Sequence, residues 1–275
     1  MSRADTERDL TKLARLLRLT TTSKFIRFPI DEGDTLMRQA LELHEFRPVS
    51  SAAGDSFDLD YKEYIRLTYY RNNIIHLYVI PSLIMRIFAN TEKIDKEELV
   101  RCASIVYPFL RREFFADLGT PMEAGLRRCI GALIKIELIE ELNGCYQMQK
   151  KADRQFALML SAVCEETLLR YGIIIDTLSD IGPKEHDTVI TRCVEQAQLL
   201  TVMNGRKRAP EFFDKTVFIE ALATMKDECY ITEDKNGLIA LNREKLAEFS
   251  EIVKPLIANA RRDMWKSTFH FDSDA

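Results

Sequence analysis

The feature of this sequence that most constrains its fold is a pattern that occurs twice: a helix, a short apolar strand, an Asn-Gly pair and a second short strand. The two copies read GALIKIELIEELNGCYQM at 131–148 and EALATMKDECYITEDKNGLIAL at 220–241. Asn-Gly is the preferred pair for a two-residue β-hairpin turn. A helix followed by such a hairpin is the layout of a winged-helix module, so we predict two small winged-helix-like units.

Most of the remaining sequence has the apolar spacing of α-helices. Glycine and proline are scarce, at 10 and 8 of 275 residues, which also favours helix. We therefore predict a mainly α fold, a helical bundle with a minor α+β component in the two units. Pro81 and Pro108 should kink or break their helices. The predicted helices cover about 5–19, 34–44, 60–90, 95–117, 121–137, 153–180, 184–204, 214–228 and 243–265, and a small hairpin joins 46–49 to 56–59.

Two helix starts carry capping signals. Asp95 and Glu98 have the spacing of a capping box, in which each side chain accepts a hydrogen bond from the backbone N–H of the other residue. Thr120-Pro121-Met122-Glu123 places a cap before a proline at the first helical position.

These elements suggest four parts of the chain. Residues 1–59 hold the N-terminal helices and the short hairpin, and 60–150 a helical region with the first winged-helix-like unit. Residues 151–265 hold a helical pair with the second unit, and 266–275 form a tail.

The charge balance disfavours nucleic acid as a partner. The formal net charge is -4, whereas a chain that binds phosphates usually carries a basic excess. The first candidate recognition helix is basic, with Arg127, Arg128 and Lys135. The second would repel DNA through its acidic residues Asp214, Glu220, Asp227 and Glu228.

The six cysteines are scattered, without a CxxC pair or a histidine at ligand spacing. This excludes the usual zinc patterns, and we predict no metal site and no cofactor. Four of the cysteines lie in apolar helical patterns and are expected to be reduced core thiols of a cytoplasmic protein: Cys102, Cys129, Cys164 and Cys193.

Two segments bear on membrane contact. The most apolar stretch, 74–88, has 15 residues, fewer than the roughly 20 that span a bilayer, so we expect a buried helix. Residues 1–18 are charged and lack the apolar core of a signal peptide. The 5–19 helix alternates leucines with Lys12, Arg15 and Arg18, which suits either a docking helix at the edge of the fold or a helix on a membrane surface.

Catalytic signatures are absent from the sequence. The four histidines, His44, His76, His186 and His270, form no close metal-binding pair, and no phosphate-binding glycine loop or Gly-x-Ser-x-Gly elbow is present. The one local acid–histidine cluster is Glu185-His186-Asp187, and helix capping accounts for it. We therefore predict no catalytic residue.

A cluster of hydrogen-bonding side chains directly precedes the apolar run 74–88: Tyr69, Tyr70, Arg71, Asn72 and Asn73. Two interpretations follow. Buried beside that run, these groups would have to form a polar network that fixes helix packing. At the surface they would contact an anionic ligand, a substrate or a neighbouring domain, with Arg71 as the charged group.

Three stretches resemble, in the same order, the C-terminal region of bacterial membrane-bound glycerol-3-phosphate acyltransferases of the PlsB type. They are TYYRNNIIHLYVIPSLI at 68–84, VYPFLRREFF at 106–115 and RAPEFFDKTVF at 208–218. Together they tie residues 60–250 to that family. Three ordered matches are far more specific than any single short motif.

The resemblance implies a role in phospholipid biosynthesis. The family transfers a fatty acyl group from acyl-CoA or acyl carrier protein to the sn-1 hydroxyl of glycerol 3-phosphate, at the inner face of the cell membrane. Its catalysis uses a His-x-x-x-x-Asp motif with His as general base. Here the positions five residues after the histidines hold Val49, Pro81, Thr191 and Ala275, so no catalytic residue is carried over.

We therefore expect the non-catalytic C-terminal region of such an acyltransferase, inactive alone and partnered by the catalytic domain or subunit. The location would be cytoplasmic or peripheral on the inner face of the membrane. Residues 69–73 would supply the contact. Two alternatives stay open: a winged-helix DNA-binding regulator, and a scaffold that docks a separate acyltransferase subunit.

Overall fold

The computed structural model describes residues 3–21, 32–44, 46–51, 54–116, 121–203 and 213–247, together with 249, 251, 252, 255 and 256. Within these residues the fold is mainly α with small antiparallel sheets, which confirms the predicted class. The predicted tail at 266–275 and much of the last predicted helix lie outside the described residues.

Two helices and a hairpin come first: α1 (Arg3–Thr20), α2 (Gly33–Leu43), β1 (Arg47–Ser51) and β2 (Gly54–Asp58). The apolar side of α1 faces the protein, because Leu16 is fully buried and Leu13 and Leu17 pack against the core. This packing matches the docking-helix interpretation, since the leucines are already covered. Gly33 lets α2 begin against α1, where an added Cβ would lie 1.7 Å from the carbonyl oxygen of Glu7.

The predicted helix at 60–90 is broken in two. Helix α3 (Tyr61–Ile74) leads into a 3₁₀ turn (Ile75–Tyr78) and then α4 (Val79–Phe88). Pro81 lies in the first turn of α4, where its missing N–H breaks no helical hydrogen bond, and its ring disfavours a continuous α-helix through the preceding turn. All of α4 is buried, as expected for the apolar run. No described helix combines the length and the apolar character needed to cross a membrane.

The first hairpin-bearing unit follows α4. It consists of β3 (Lys93–Asp95), α5 (Lys96–Glu113), α6 (Met122–Lys135), β4 (Ile139–Leu142) and β5 (Cys145–Met148). The strand order is β3-β5-β4, with both pairings antiparallel. Helix α5 continues through Pro108.

A helical pair leads to a second unit of the same connectivity. Helix α7 (Arg154–Ser161), a 3₁₀ turn (Ala162–Cys164) and α8 (Glu165–Ile181) replace the single helix predicted at 153–180. The unit then comprises β6 (Lys184–Glu185), α9 (His186–Met203), α10 (Lys215–Asp227), β7 (Ile231–Glu233) and β8 (Leu238–Leu241), in strand order β6-β8-β7. The repeated sequence pattern thus corresponds to a repeated arrangement, while the winged-helix-like assignment stays a prediction.

The two Asn-Gly pairs form different turns. Asn143 and Gly144 both have positive φ, 51° and 80°, and Leu142 pairs with Cys145, as a two-residue turn requires. In the second hairpin Gly237 has a φ of 77°, but the loop is longer. The carboxylate of Asp234 accepts hydrogen bonds from the backbone N–H groups of Asn236 and Leu238, which stabilises this longer loop.

Asp95 is the N-cap residue of α5, as its sequence context indicates, but the predicted capping box does not form. The carboxylate of Asp95 accepts a hydrogen bond from the Cys145 thiol at 2.8 Å, and Glu98 pairs with Arg101. Pro121 lies immediately before α6 rather than inside it, and Thr120 lies outside the described residues.

The two units share one core. The ring of Phe109 in α5 lies 4.7 Å from that of Tyr171 in α8 and 5.3 Å from that of Tyr230 beside β7. Helix α6, the first candidate recognition helix, packs against α1, and α10 exposes Glu220 and Asp227. This packing argues against insertion of either helix into a DNA groove.

Candidate functional site

The five residues of the predicted contact, 69–73, occupy the C-terminal end of α3, and all are exposed. Tyr69 is 66% exposed and Tyr70 is 47% exposed. Arg71 donates from Nε and Nη2 to Oδ1 of Asn72 at 3.2 and 3.0 Å. The buried-network interpretation is therefore wrong for these side chains, and a contact role stays a proposal.

Helix α3 has a protein-facing side set by its sequence. Residues at helical spacing, Glu63, Tyr64, Leu67 and Thr68, are buried or half-buried. The helix begins where the carboxylate of Asp60 accepts a hydrogen bond from the Glu63 backbone N–H at 2.8 Å. The remaining positions of α3 face outward.

His44, at the end of α2, contacts the first turn of α3. Its Nδ1 atom lies 2.5 Å from Oε1 of Glu63, and the two side chains are only 14% and 9% exposed. The imidazole ring has the rings of Phe46 and Tyr70 against it, at centroid distances of 6.1 and 5.7 Å. Nη1 of Arg66 lies 3.8 Å from the second carboxylate oxygen of Glu63.

Sequence reasoning missed this pair. Its members are 19 residues apart, with the β1–β2 hairpin between them, and no local motif links them. A carboxylate-oriented imidazole is the arrangement that general-base catalysis uses, so its surroundings matter.

The surroundings favour a structural role for His44 and Glu63. A cavity of about 250 Å³ lies next to the first turn of α3, but it is lined by Phe57, Asp58, Leu59, Tyr61 and Tyr64 and does not include His44. Aromatic rings, rather than an open cleft, lie against the imidazole. The pair therefore clamps α3 onto the end of α2.

The other described histidines have no such partner. His76 lies half-buried in the 3₁₀ turn after α3, and His186 is exposed at the start of α9. Within the described residues, neither side chain forms a hydrogen bond or an ion pair with a carboxylate. His270 lies outside the described residues. In the parts of the chain that the structure describes, no cluster of His, Cys, Asp and Glu could hold a metal ion.

The helical cysteines are core side chains, as predicted. Cys102, Cys129, Cys164 and Cys193 are buried, and burial raises the pKa of the Cys129 thiol to about 12 and that of Cys102 to about 11. A nucleophilic cysteine requires a lowered pKa, because the thiolate is the reactive form. The four side chains therefore contribute packing rather than chemistry.

The fold and the site define a mainly helical region with a cluster of exposed aromatic and polar side chains at the C-terminal end of α3. The family model for the glycerol-3-phosphate acyltransferase C-terminal region matches residues 1–234, so the chain belongs to that family. The resemblance noted in the sequence is thereby confirmed.

Relatives named glycerol-3-phosphate acyltransferase match most of the chain. The protein from Pseudomonas aeruginosa strain LESB58 is 28% identical over 241 residues, which cover 86% of this chain and 29% of the relative. The protein from Pseudomonas entomophila is 28% identical over 264 residues, covering 92% of this chain and 32% of the relative. The chain thus spans about a third of the length of these curated relatives.

Proposed function

We propose that this chain is the non-catalytic C-terminal region of a glycerol-3-phosphate O-acyltransferase, which supports sn-1 acylation in phospholipid biosynthesis but does not carry it out. Two observations, taken together, carry the proposal. The chain matches the C-terminal family model over residues 1–234, yet no histidine in it is followed five residues later by an aspartate.

The packing of His44 supports this proposal. A general base for an alcohol needs an imidazole that the alcohol can reach. His44 is paired with a carboxylate but is 86% covered by the protein and packed against aromatic rings, so it is poorly placed to take a proton from glycerol 3-phosphate.

The proposal assigns substrates and location to the complete enzyme. Glycerol 3-phosphate and the acyl donor, acyl-CoA or acyl carrier protein, would bind the catalytic domain or subunit. The helical region would pack on that partner through residues 69–73 of α3, peripheral to the inner face of the cell membrane. A catalytic part on a separate polypeptide would make the chain a docking scaffold with the same contact.

An acyl-transfer assay tests the proposal. The purified chain is incubated with glycerol 3-phosphate and palmitoyl-CoA, and lysophosphatidic acid is measured, with the full-length P. aeruginosa relative as positive control. We expect product from the relative and none above background from this chain. Turnover by the purified chain that is lost in His44→Gln would overturn the non-catalytic assignment.

A further inference from the structure

Exposed apolar side chains are concentrated in one part of the molecule. Among the described residues, thirteen large hydrophobic side chains are exposed, and eight of them lie between Leu43 and Ile74. Single exposed apolar residues are ordinary, whereas a cluster marks an interaction surface. This segment contains the β1–β2 hairpin and helix α3.

One row of exposed side chains runs the length of α3. Its members are spaced four residues apart: Tyr61, Ile65, Tyr69 and Asn73. Residues four apart lie on the same side of an α-helix, so the row forms a stripe about 20 Å long. Its two tyrosines are 63% and 66% exposed, which leaves large apolar areas in water.

A second exposed row lies beside the first, one residue further along: Lys62, Arg66, Tyr70 and Ile74. We refer to the two rows together as the α3 face. The face carries two cations and no carboxylate, because the one acidic residue of α3, Glu63, is turned inward onto His44 and is 7% exposed. The α3 face is therefore basic, with one of its two cations, Arg66, 3.8 Å from the Glu63 carboxylate.

We infer that the α3 face docks against the part of the acyltransferase that this chain does not match, on a surface that is apolar at its centre and carries carboxylates at its edge. The inference rests on the proposed function. Tyrosine and arginine are enriched at protein interfaces, and charges at the rim of an interface favour partners of opposite sign.

The part of the relatives that this chain does not match is large enough to bind the α3 face. The matched segment is 29% of the P. aeruginosa relative, so more than two thirds of that protein lies outside it. A typical interface buries about 800 Å² per partner, which requires a larger surface than α3 alone. Phe57 of the β1–β2 hairpin lies beside the first turn of α3 and is 43% exposed, so it enlarges the α3 face at the N-terminal end of the helix.

Site-specific photocross-linking tests the inference on the whole protein. The photoreactive amino acid p-benzoylphenylalanine replaces Tyr69 in a tagged copy of the chain in its source cell, and cross-linked peptides are identified by mass spectrometry. Position 199 provides a matched control, because Leu199 on α9 is 58% exposed and apolar but distant in sequence from the face.

We expect position 69 to cross-link to peptides of a polypeptide that carries the acyltransferase His-x-x-x-x-Asp motif, whether joined to this chain or separate. Position 199 should give no such product above background. Cross-links from position 69 to a second copy of α3, to lipid alone or to an unrelated protein would overturn the inference. Acyltransferase peptides captured from position 199 but not from 69 would overturn it and leave the proposed function standing.

Paired substitutions provide a second readout. We expect Tyr69→Asp to reduce by at least tenfold the acyltransferase activity that accompanies the tagged chain through affinity purification. Leu199→Asp should leave that activity unchanged. Circular dichroism and thermal unfolding of the purified variants establish that both are folded. Equal activity in the two variants would overturn the inference.

Discussion

Nδ1 of His44 lies 2.5 Å from Oε1 of Glu63, and this contact ties the end of α2 to the first turn of α3. The pair has two consequences. It holds the first turn of α3 against the end of α2, and it turns the one acidic residue of α3, Glu63, away from the surface. The same buried contact thereby affects both the packing of α3 and the charge of its outward side.

Replacing Glu63 by Gln should weaken the clamp. We expect the free energy of unfolding to fall by about 1–2 kcal/mol, because a buried charge-assisted hydrogen bond becomes a neutral one. Urea denaturation measures the change, and Glu97→Gln, at an exposed position of α5, is the control. Hydrogen exchange should accelerate in α3 more than in α4. An unchanged exchange pattern in α3 would show that the clamp does not hold the helix.

Replacing Glu137 by Gly should stabilise the protein. Glu137 follows α6 with a φ of 63°, and the N–H of Leu138 donates to the carbonyl of Leu133 in a Schellman cap. Glycine adopts this left-handed conformation without the Cβ strain, so we expect a gain of about 0.5–1 kcal/mol in the free energy of unfolding.

Thermal unfolding of Glu137→Gly checks this expectation. Glu140→Gly, in the following strand, is the control and should lower the melting temperature, because glycine weakens a strand. A lower melting temperature for Glu137→Gly would contradict the cap assignment. Cys229, with a φ of 62° after α10, occupies the equivalent position in the second unit.

Removing one member of the buried pair between α4 and α8 should be severe. Nη2 of Arg86 lies 3.6 Å from Oε2 of Glu165, and the side chains are 1% and 8% exposed. Glu165→Ala leaves the guanidinium charge buried without this carboxylate, and we expect a loss of about 3–5 kcal/mol.

The double variant separates charge from packing. Arg86→Met with Glu165→Leu replaces the pair by apolar side chains and should recover most of the stability lost in Glu165→Ala. Chemical denaturation of the three proteins makes the comparison. A double variant as unstable as Glu165→Ala would show that Arg86 and Glu165 stabilise the fold by more than the pairing of their charges.

Alkaline pH should destabilise the protein through Cys129. Burial raises the pKa of this thiol from 9.0 to about 12. The folded state therefore keeps a proton that the unfolded state loses, so the contribution to stability is complete below about pH 9 and is lost as the pH rises towards 12. Denaturation at pH 8 and pH 10.5 measures the loss. Cys129→Ala should show a smaller difference between the two pH values, and an equal difference would contradict this assignment.

Local sequence chemistry predicted much of the fold. Asn143-Gly144 forms its two-residue turn because both residues tolerate positive φ. Asp214, at the start of the helix predicted at 214–228, caps α10, with its carboxylate 2.7 Å from the Thr216 backbone nitrogen. Rules of this kind involve neighbours in the chain, so tertiary contacts seldom change their outcome.

One local prediction was overridden by a residue that is distant in the sequence. Asp95 has the sequence context of a cap, but the thiol of Cys145, 50 residues away, occupies its carboxylate. A non-local contact therefore decided which group the Asp95 carboxylate binds.

The sequence by itself determined the helical class, the repeated helix–hairpin pattern and the family, because periodicity, turn residues and motifs are all written along the chain. Only the tertiary structure decided that residues 69–73 face outward and that His44 meets Glu63. The physical reason is that a helical pattern specifies which residues share a side of a helix, whereas burial depends on which other segment, if any, packs against that side.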